Sequence, residues 1–291
     1  MSFDLQVKGS TRIVCLFGFP VSHSLSPQIH NHAFRTLGLP YVYIPLEVPP
    51  QAIHTAAYAF RSFSFAGANI TIPHKAAMAR YCDTLSELST CTGTVNTIYM
   101  SGGRLCGTTT DPEGFKRALQ WAGSPVDKSN VVILGNGGTS RTLSIALALD
   151  RKLSTLTIVG RSIEKVAALA SEVTNVSGIP VQALSFNDKA LAEVFRRCDL
   201  LVNTTSVGMH PLTDQTPLPS KYFHKNMTVF DSIYNPLKTR FLQEAESAGC
   251  HVQNGLRMLL YQALASLRLW TGVDIPEEIF SIEELQSLIA G

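Results

Sequence analysis

Val131-Val132-Ile133-Leu134-Gly135-Asn136-Gly137-Gly138-Thr139-Ser140 is the stretch whose reading decides the fold. Its four apolar residues read as a buried strand, and the apolar run over 141–149 reads as a helix. Between them lies a glycine-rich turn. The tight turn needs the first glycine, and close approach of a pyrophosphate needs the second. The helix N-terminus then offers free N–H groups and the positive end of its dipole. Ser140 holds the place of the third glycine in G-x-G-x-x-G and is small enough to let helix pack on strand. A plain glycine turn would also join a strand to a helix. The strand–turn–helix context favours a dinucleotide site built from Gly135, Asn136, Gly137, Gly138 and Thr139.

Outward from that turn the rhythm continues with strands at 156–159, 181–184, 200–203 and 228–231 and helices between them, which reads as a doubly wound parallel sheet. Before it, strands at 13–17, 41–46 and 68–72 alternate with helices at 27–37 and 50–63. A hairpin follows at 96–100 and 104–106 around Ser101-Gly102-Gly103. This is a second α/β unit with a small antiparallel addition. After Gly255 the pattern changes to helices over 256–270 and 276–289. Two domains are the expectation for a chain of 291 residues.

Composition narrows the partner. The 24 basic and 22 acidic residues nearly cancel, and no basic run is interleaved with aromatics, which argues against nucleic acid and for a small-molecule substrate. No apolar stretch reaches the roughly 18 residues a membrane span needs, and Met1-Ser2-Phe3-Asp4 lacks the basic and apolar regions of a leader, so the expectation is a soluble, cytoplasmic protein with no membrane partner. The six cysteines form no C-x-x-C pair, and His30 and His32, at i and i+2 on a helix, face different ways. No metal site is expected.

The second strand of the doubly wound unit ends at Val159-Gly160-Arg161-Ser162, where an NAD site would carry an acid for the ribose 2′-hydroxyl. Arg161, Ser162 and Lys165 instead offer two cations and a hydroxyl suited to a 2′-phosphate, so NADP is the expected cofactor. Lys75 closes Asn69-Ile70-Thr71-Ile72-Pro73-His74-Lys75, read as a buried strand stopped by proline, where a surface charge is out of place unless a cleft begins there. Asn96 and Asp111 also stand at element ends.

With Gly18-Phe19-Pro20-Val21-Ser22-His23-Ser24-Leu25-Ser26-Pro27, Gly93-Thr94-Val95-Asn96-Thr97, Asn203-Thr204-Thr205-Ser206 and Gly255-Leu256-Arg257-Met258-Leu259-Leu260-Tyr261-Gln262, these motifs resemble the shikimate dehydrogenases over nearly the whole chain. The resemblance implies reversible, NADP-dependent reduction of 3-dehydroshikimate to shikimate. It implies a substrate domain of 1–110 with 256–291, a Rossmann-like NADP domain of 111–255, and a cleft between them. It makes Lys75 and Asp111 the catalytic pair and gives the substrate to Ser24, Ser26, Thr71, Asn96, Tyr234 and Gln262. Thr204, Ser206 and Gly255 join the cofactor residues, and the assembly is a monomer or homodimer. Quinate or mixed quinate/shikimate oxidation, or a sensing paralogue without turnover, stand as alternatives. Ser26-Pro27 and Asp111-Pro112 read equally as helix caps followed by proline. Thr109, Gly160 and Pro112 depart from the family's usual residues.

Overall fold

The computed structural model describes residues 7–124 and 126–290, so the Met1-Ser2-Phe3-Asp4 reading lies outside the described residues. The chain divides into two compact units, one running to Thr110 and taking up Gln262–Glu284, the other comprising Asp111–Tyr261 and the residues from Leu285.

The first unit is built from β1 (Arg12–Gly18), α1 (Ser26–Thr36), β2 (Tyr41–Glu47), α2 (Ile53–Ser62), β3 (Phe65–Ile70), α3 (Lys75–Ala79), β4 (Thr84–Leu85), α4 (Glu87–Thr92), β5 (Thr97–Ser101) and β6 (Arg104–Thr108). Its six strands lie in the order β2-β1-β3-β5-β6-β4. The strands β2, β1 and β3 are parallel, while β5 runs antiparallel to both β3 and β6. Gly102 and Gly103, at φ of +55° and +74°, make the two-residue turn that β5 and β6 require. Cys15, Phe17, Phe60, Ala68, Ile70, Met78 and Ile98 fill the core on one side. Gly67 is where the sheet meets Trp270, and a Cβ there would stand 2.1 Å from the indole.

The second unit holds α5 (Asp111–Trp121), β7 (Asn130–Leu134), α6 (Gly138–Asp150), β8 (Thr155–Gly160), α7 (Ile163–Ser177), β9 (Val181–Ser185), α8 (Leu191–Arg196), β10 (Leu200–Asn203), β11 (Thr228–Asp231), α9 (Arg240–Ser247) and β12 (His251–Gln253). The strand order β12-β11-β10-β7-β8-β9 is parallel throughout. Read from β7 outward, it is the doubly wound dinucleotide-binding order, 3-2-1-4-5-6. Two helices, α10 (Leu256–Thr271) and α11 (Ile282–Ala290), close the chain.

Several boundaries differ from the sequence reading. The strand expected over 68–72 is β3, which ends at Ile70: Thr71 N–H makes the last ladder bond, to the Phe17 carbonyl at 2.9 Å, and the chain then turns, with His74 N–H on the Thr71 carbonyl at 2.8 Å. Ile72 is consequently 70% exposed and not part of the apolar alternation. Lys75 does not close a strand but opens α3. The helix expected over 276–289 is a single 3-10 turn at Glu277–Ile279 followed by α11, because the Ser281 hydroxyl accepts Glu284 N–H at 3.2 Å and starts a new helix. Strands β4 and β12, two and three residues long, were too short for any periodicity to reveal.

Gly67→Ala is expected to lower stability by about 1–3 kcal/mol, because the added methyl overpacks the Trp270 contact. Urea unfolding followed by far-ultraviolet circular dichroism checks it. An unchanged midpoint would contradict the packing, whereas partial recovery on adding Trp270→Leu would identify the clash.

Candidate functional site

In a parallel sheet, ligands collect beyond the carboxyl ends of the strands where neighbouring connections leave in opposite directions. In the second unit that point lies between β7 and β10. Gly135 follows β7 at φ +112°, and a Cβ there would come within 2.9 Å of Thr204 Oγ1, so the first glycine is required on both counts. Thr204 donates from N and Oγ1 to the Leu134 carbonyl at 3.0 and 2.6 Å, pinning the end of β10 against the turn. Ser140, standing for the third glycine, donates to the Gly135 carbonyl at 2.7 Å and locks the turn onto α6. Asn136, Gly137 and Gly138 are exposed, and Cβ atoms at either glycine would meet nothing within 4 Å. An open backbone edge at the start of a thirteen-residue helix fits a pyrophosphate.

Gly135 N–H also donates to the Val159 carbonyl at 2.8 Å, which places the end of β8 beside the turn. Arg161 and Lys165 are exposed there, and Ser162 caps α7. On the other side, buried Asp231 accepts from Asn203 Nδ2 at 3.0 Å, Ile233 N–H at 3.1 Å and Thr239 Oγ1 at 2.6 Å. The Asn203 side-chain oxygen in turn accepts from Thr205 N and Oγ1. This network shapes the segment carrying Thr204 and exposed Ser206, and the sequence reading missed it. The quoted Asn203 was the available signal, since a polar side chain ending a buried strand needs partners. Burial raises the Asp231 carboxyl to about 6 despite its three donors. Gly255 belongs to the same region, where a Cβ would stand 2.2 Å from the Ser232 carbonyl oxygen. Half-buried Tyr234 follows Asp231 by three residues.

The first unit repeats the logic. β1 lies between β2 and β3, and Phe17 pairs with Ile70, so the segments carrying Ser24 and Ser26 and those carrying Thr71 and Lys75 leave from one sheet edge. Gly18 lets Thr71 approach, since its Cβ would lie 2.3 Å from the Thr71 methyl. The Lys75 carbonyl accepts Val95 N–H at 3.0 Å, tying half-buried Lys75 to the segment that bears Asn96. Ser26 is not the expected cap: it is buried inside the first turn of α1, which has no side-chain cap, and its N–H reaches Ser24 Oγ at 3.2 Å. Asp111 opens α5 in the second unit and is buried.

Asn96 and Gln262, both expected at the substrate, are brought together. Asn96 Nδ2 donates to Gln262 Oε1 at 3.2 Å and to Thr110 Oγ1 at 2.9 Å. Asn96 Oδ1 accepts from Thr97 Oγ1 at 2.8 Å and Thr110 N–H at 2.9 Å, so both ends of the amide are held by protein partners. Behind them Asn69 Nδ2 reaches Thr97 and Ser266, and Asn69 Oδ1 accepts from Tyr43 OH at 2.9 Å. Asn69 is an amide in an otherwise apolar strand, and that was the signal for this network. His30 stacks on Tyr43 at 4.3 Å while His32 bonds the Ile279 carbonyl, so the two histidines serve separate surroundings. Burial lowers the His30 imidazole to about 3.

Two parallel-centred α/β units, one with a dinucleotide turn at its crossing point and the other with a lysine and amides at its own, define the class of two-domain nucleotide-linked α/β proteins. Family models match residues 16–98 as shikimate dehydrogenase substrate binding domain, 117–232 as shikimate / quinate 5-dehydrogenase and 255–280 as shikimate 5'-dehydrogenase C-terminal domain. The NADP(+) shikimate dehydrogenase of Methanopyrus kandleri is 39% identical, covering 99% of this chain and 100% of that protein. A shikimate dehydrogenase crystal structure in complex with NADP+ superposes with a TM-score of 0.89 at 32% identity, covering 98% of this chain and 96% of that one. Shikimate 5-dehydrogenase of Thermus thermophilus, in complex with NADP(H) and shikimate, gives 0.83 at 33% identity, covering 96% and 99%. The chain belongs to the shikimate dehydrogenase family.

The raised Asp231 carboxyl makes a signed prediction. Its folded state holds the proton more tightly than the unfolded chain, whose value is 3.8, so this group favours folding most below that pH and the advantage disappears as pH rises through about 6. The full span is about 3 kcal/mol. Asp231→Asn should flatten the pH dependence of chemical unfolding between about 4 and 6, and an unaltered profile would contradict the assignment.

Proposed function

We propose that this chain interconverts 3-dehydroshikimate and shikimate with NADP as its hydride carrier. The observation that carries the reading is the near-full-length likeness to relatives bearing that name, joined to the intact Lys75 and Asp111. The cofactor's pyrophosphate is assigned to the Gly135–Gly138 turn and its ribose phosphate to Arg161, Ser162 and Lys165, with Thr204, Ser206 and Gly255 lining the rest. The substrate is assigned to the first unit's Ser24, Ser26, Thr71, Asn96 and Gln262, with Tyr234 from the second. No helix among the described residues is long and apolar enough to cross a membrane, in keeping with a cytoplasmic enzyme.

In the reductive direction NADPH, when bound, would supply hydride to the ketone carbon. Lys75 meets the negative charge developing on the ketone oxygen, as proton donor or fixed cation, and Asp111 orients it. Ser24 and Ser26 donate to the substrate carboxylate. Asn96, its amide held in one orientation by Thr97, Thr110 and Gln262, is assigned to the ring hydroxyls. Thr71 closes the same edge.

Lys75→Ala should still bind NADP, measured by calorimetry, yet lose turnover by about 10²–10⁴-fold. Asp111→Asn should cost less, and the double variant less than the summed single effects, because the two act as a unit. Steady-state oxidation of shikimate and of quinate with each nicotinamide cofactor tests the substrate. Preference for quinate would replace the reading, and near-wild-type turnover of Lys75→Ala would remove the catalytic assignment.

A further inference from the structure

Lys75 stands in the first turn of α3, a helix of five residues. So short a helix has little stability of its own and holds a side chain in place only where neighbouring elements hold the helix. Three bonds fasten its start. The Lys75 carbonyl accepts Val95 N–H at 3.0 Å, His74 N–H reaches the Thr71 carbonyl at 2.8 Å, and the His74 ring Nε2 lies 2.6 Å from the Val48 carbonyl. A carbonyl oxygen only accepts, so Nε2 carries the proton and the imidazole is the donor. His74 is 1% exposed, and although it occupies the position before the helix its side chain does not cap α3. The ring is committed to Val48 instead.

Val48 is a corner of the same sheet edge. It follows β2, its N–H donates to the Gly18 carbonyl at 2.9 Å, and its side chain belongs to the core that contains Phe17, Met78 and Ala79. Gly18 opens the segment leading to Ser24 and Ser26, and the Glu47 carboxylate, next to Val48, accepts Val21 N–H within that segment at 3.3 Å. The end of β1 is joined to the turn after β3 by backbone alone, Thr71 N–H to the Phe17 carbonyl at 2.9 Å and Phe19 N–H to the Ile72 carbonyl at 3.0 Å. The ends of β1, β2 and β3 thus mark three corners, and the side from β2 to the start of α3 is closed by the His74 ring. Resting on the reading that Lys75 is the catalytic cation, we propose that His74 is a positioning residue for it. The imidazole braces the start of α3 against Val48 and keeps Lys75 at a fixed spacing from the serine-bearing segment. A misplacement of about 1 Å can cost roughly 100-fold in rate, so a side chain remote from the substrate can still set turnover. The plainer role is that of a buried histidine satisfied within a core, which concerns stability alone.

Steady-state shikimate oxidation with NADP+ by the full-length wild type, His74→Phe, His74→Asn, His74→Gln, Lys75→Ala and the His74→Phe/Lys75→Ala double variant separates the roles, with melting temperatures and NADP+ affinities measured alongside. Phenylalanine keeps the ring without its donor, the asparagine amide falls short of the Nε2 position, and the glutamine amide reaches it. His74→Phe and His74→Asn should each lower kcat about tenfold with NADP+ affinity unchanged, and His74→Gln should recover most of that loss. In the Lys75→Ala background His74→Phe should cost no further turnover, because the histidine acts through the lysine. A lower melting temperature with unchanged kcat would make His74 a core histidine and overturn the proposal, and an additive loss in the double variant would overturn it too. Should His74→Phe not fold, equal kcat in His74→Asn and His74→Gln overturns the proposal and a gap of about tenfold upholds it. If Lys75→Ala alone keeps near-wild-type turnover, the underlying catalytic reading falls and takes the brace with it.

Discussion

The second unit depends on the approach of Gly135 to Thr204. A parallel sheet that winds both ways from a central strand must separate two connections at one edge, and here the separation is held closed by the Leu134 carbonyl accepting twice from Thr204. Any side chain on residue 135 would have to displace that threonine. The turn can then expose the backbone of Asn136 to Gly138 while its rear is fixed by Ser140. Position 140 shows why motif matching by residue type is too strict: a serine in place of glycine supplies a hydrogen bond that fastens the turn.

The first unit solves a similar edge by different means. Its crossing strand β1 is followed by α1, and β3 ends in a turn rather than an extended run. The groups assigned to the substrate are held by a polar core of Tyr43, Asn69, Thr97, Ser266, Thr110, Asn96 and Gln262. Each hydrogen bond here is sheltered from water, and losing one partner leaves another unpaired, so the arrangement has few alternative orientations. That is how flexible amides come to point one way before any ligand arrives.

Legibility followed the reach of the physical signal. The long parallel strands, the glycine turn and α6 carry strong periodicity, so the doubly wound order could be anticipated, whereas β4 and β12 owe their pairing to neighbours brought close by the rest of the fold. Ser26 was read as a cap from its proline neighbour, but the helix begins one residue earlier and the hydroxyl of Ser24 takes the N–H instead. Gln262 was legible as a polar residue on an apolar stripe, though its partners Asn96 and Thr110 stand 166 and 152 residues away in sequence, and no local pattern names them.

The chain has two tryptophans, and they occupy opposite environments. Trp270 is 5% exposed, with its indole N–H donating to the Ile98 carbonyl in the first unit, whereas Trp121 is 57% exposed and lies 3.3 Å beneath the Arg257 guanidinium in the second. A sequestered indole emits toward the blue and is shielded from aqueous quenchers; a hydrated one under a cation emits toward the red and is readily quenched. The protein thus carries a native fluorophore in each unit, distinguishable by colour and accessibility, and either unit's loosening can be followed by light without a label.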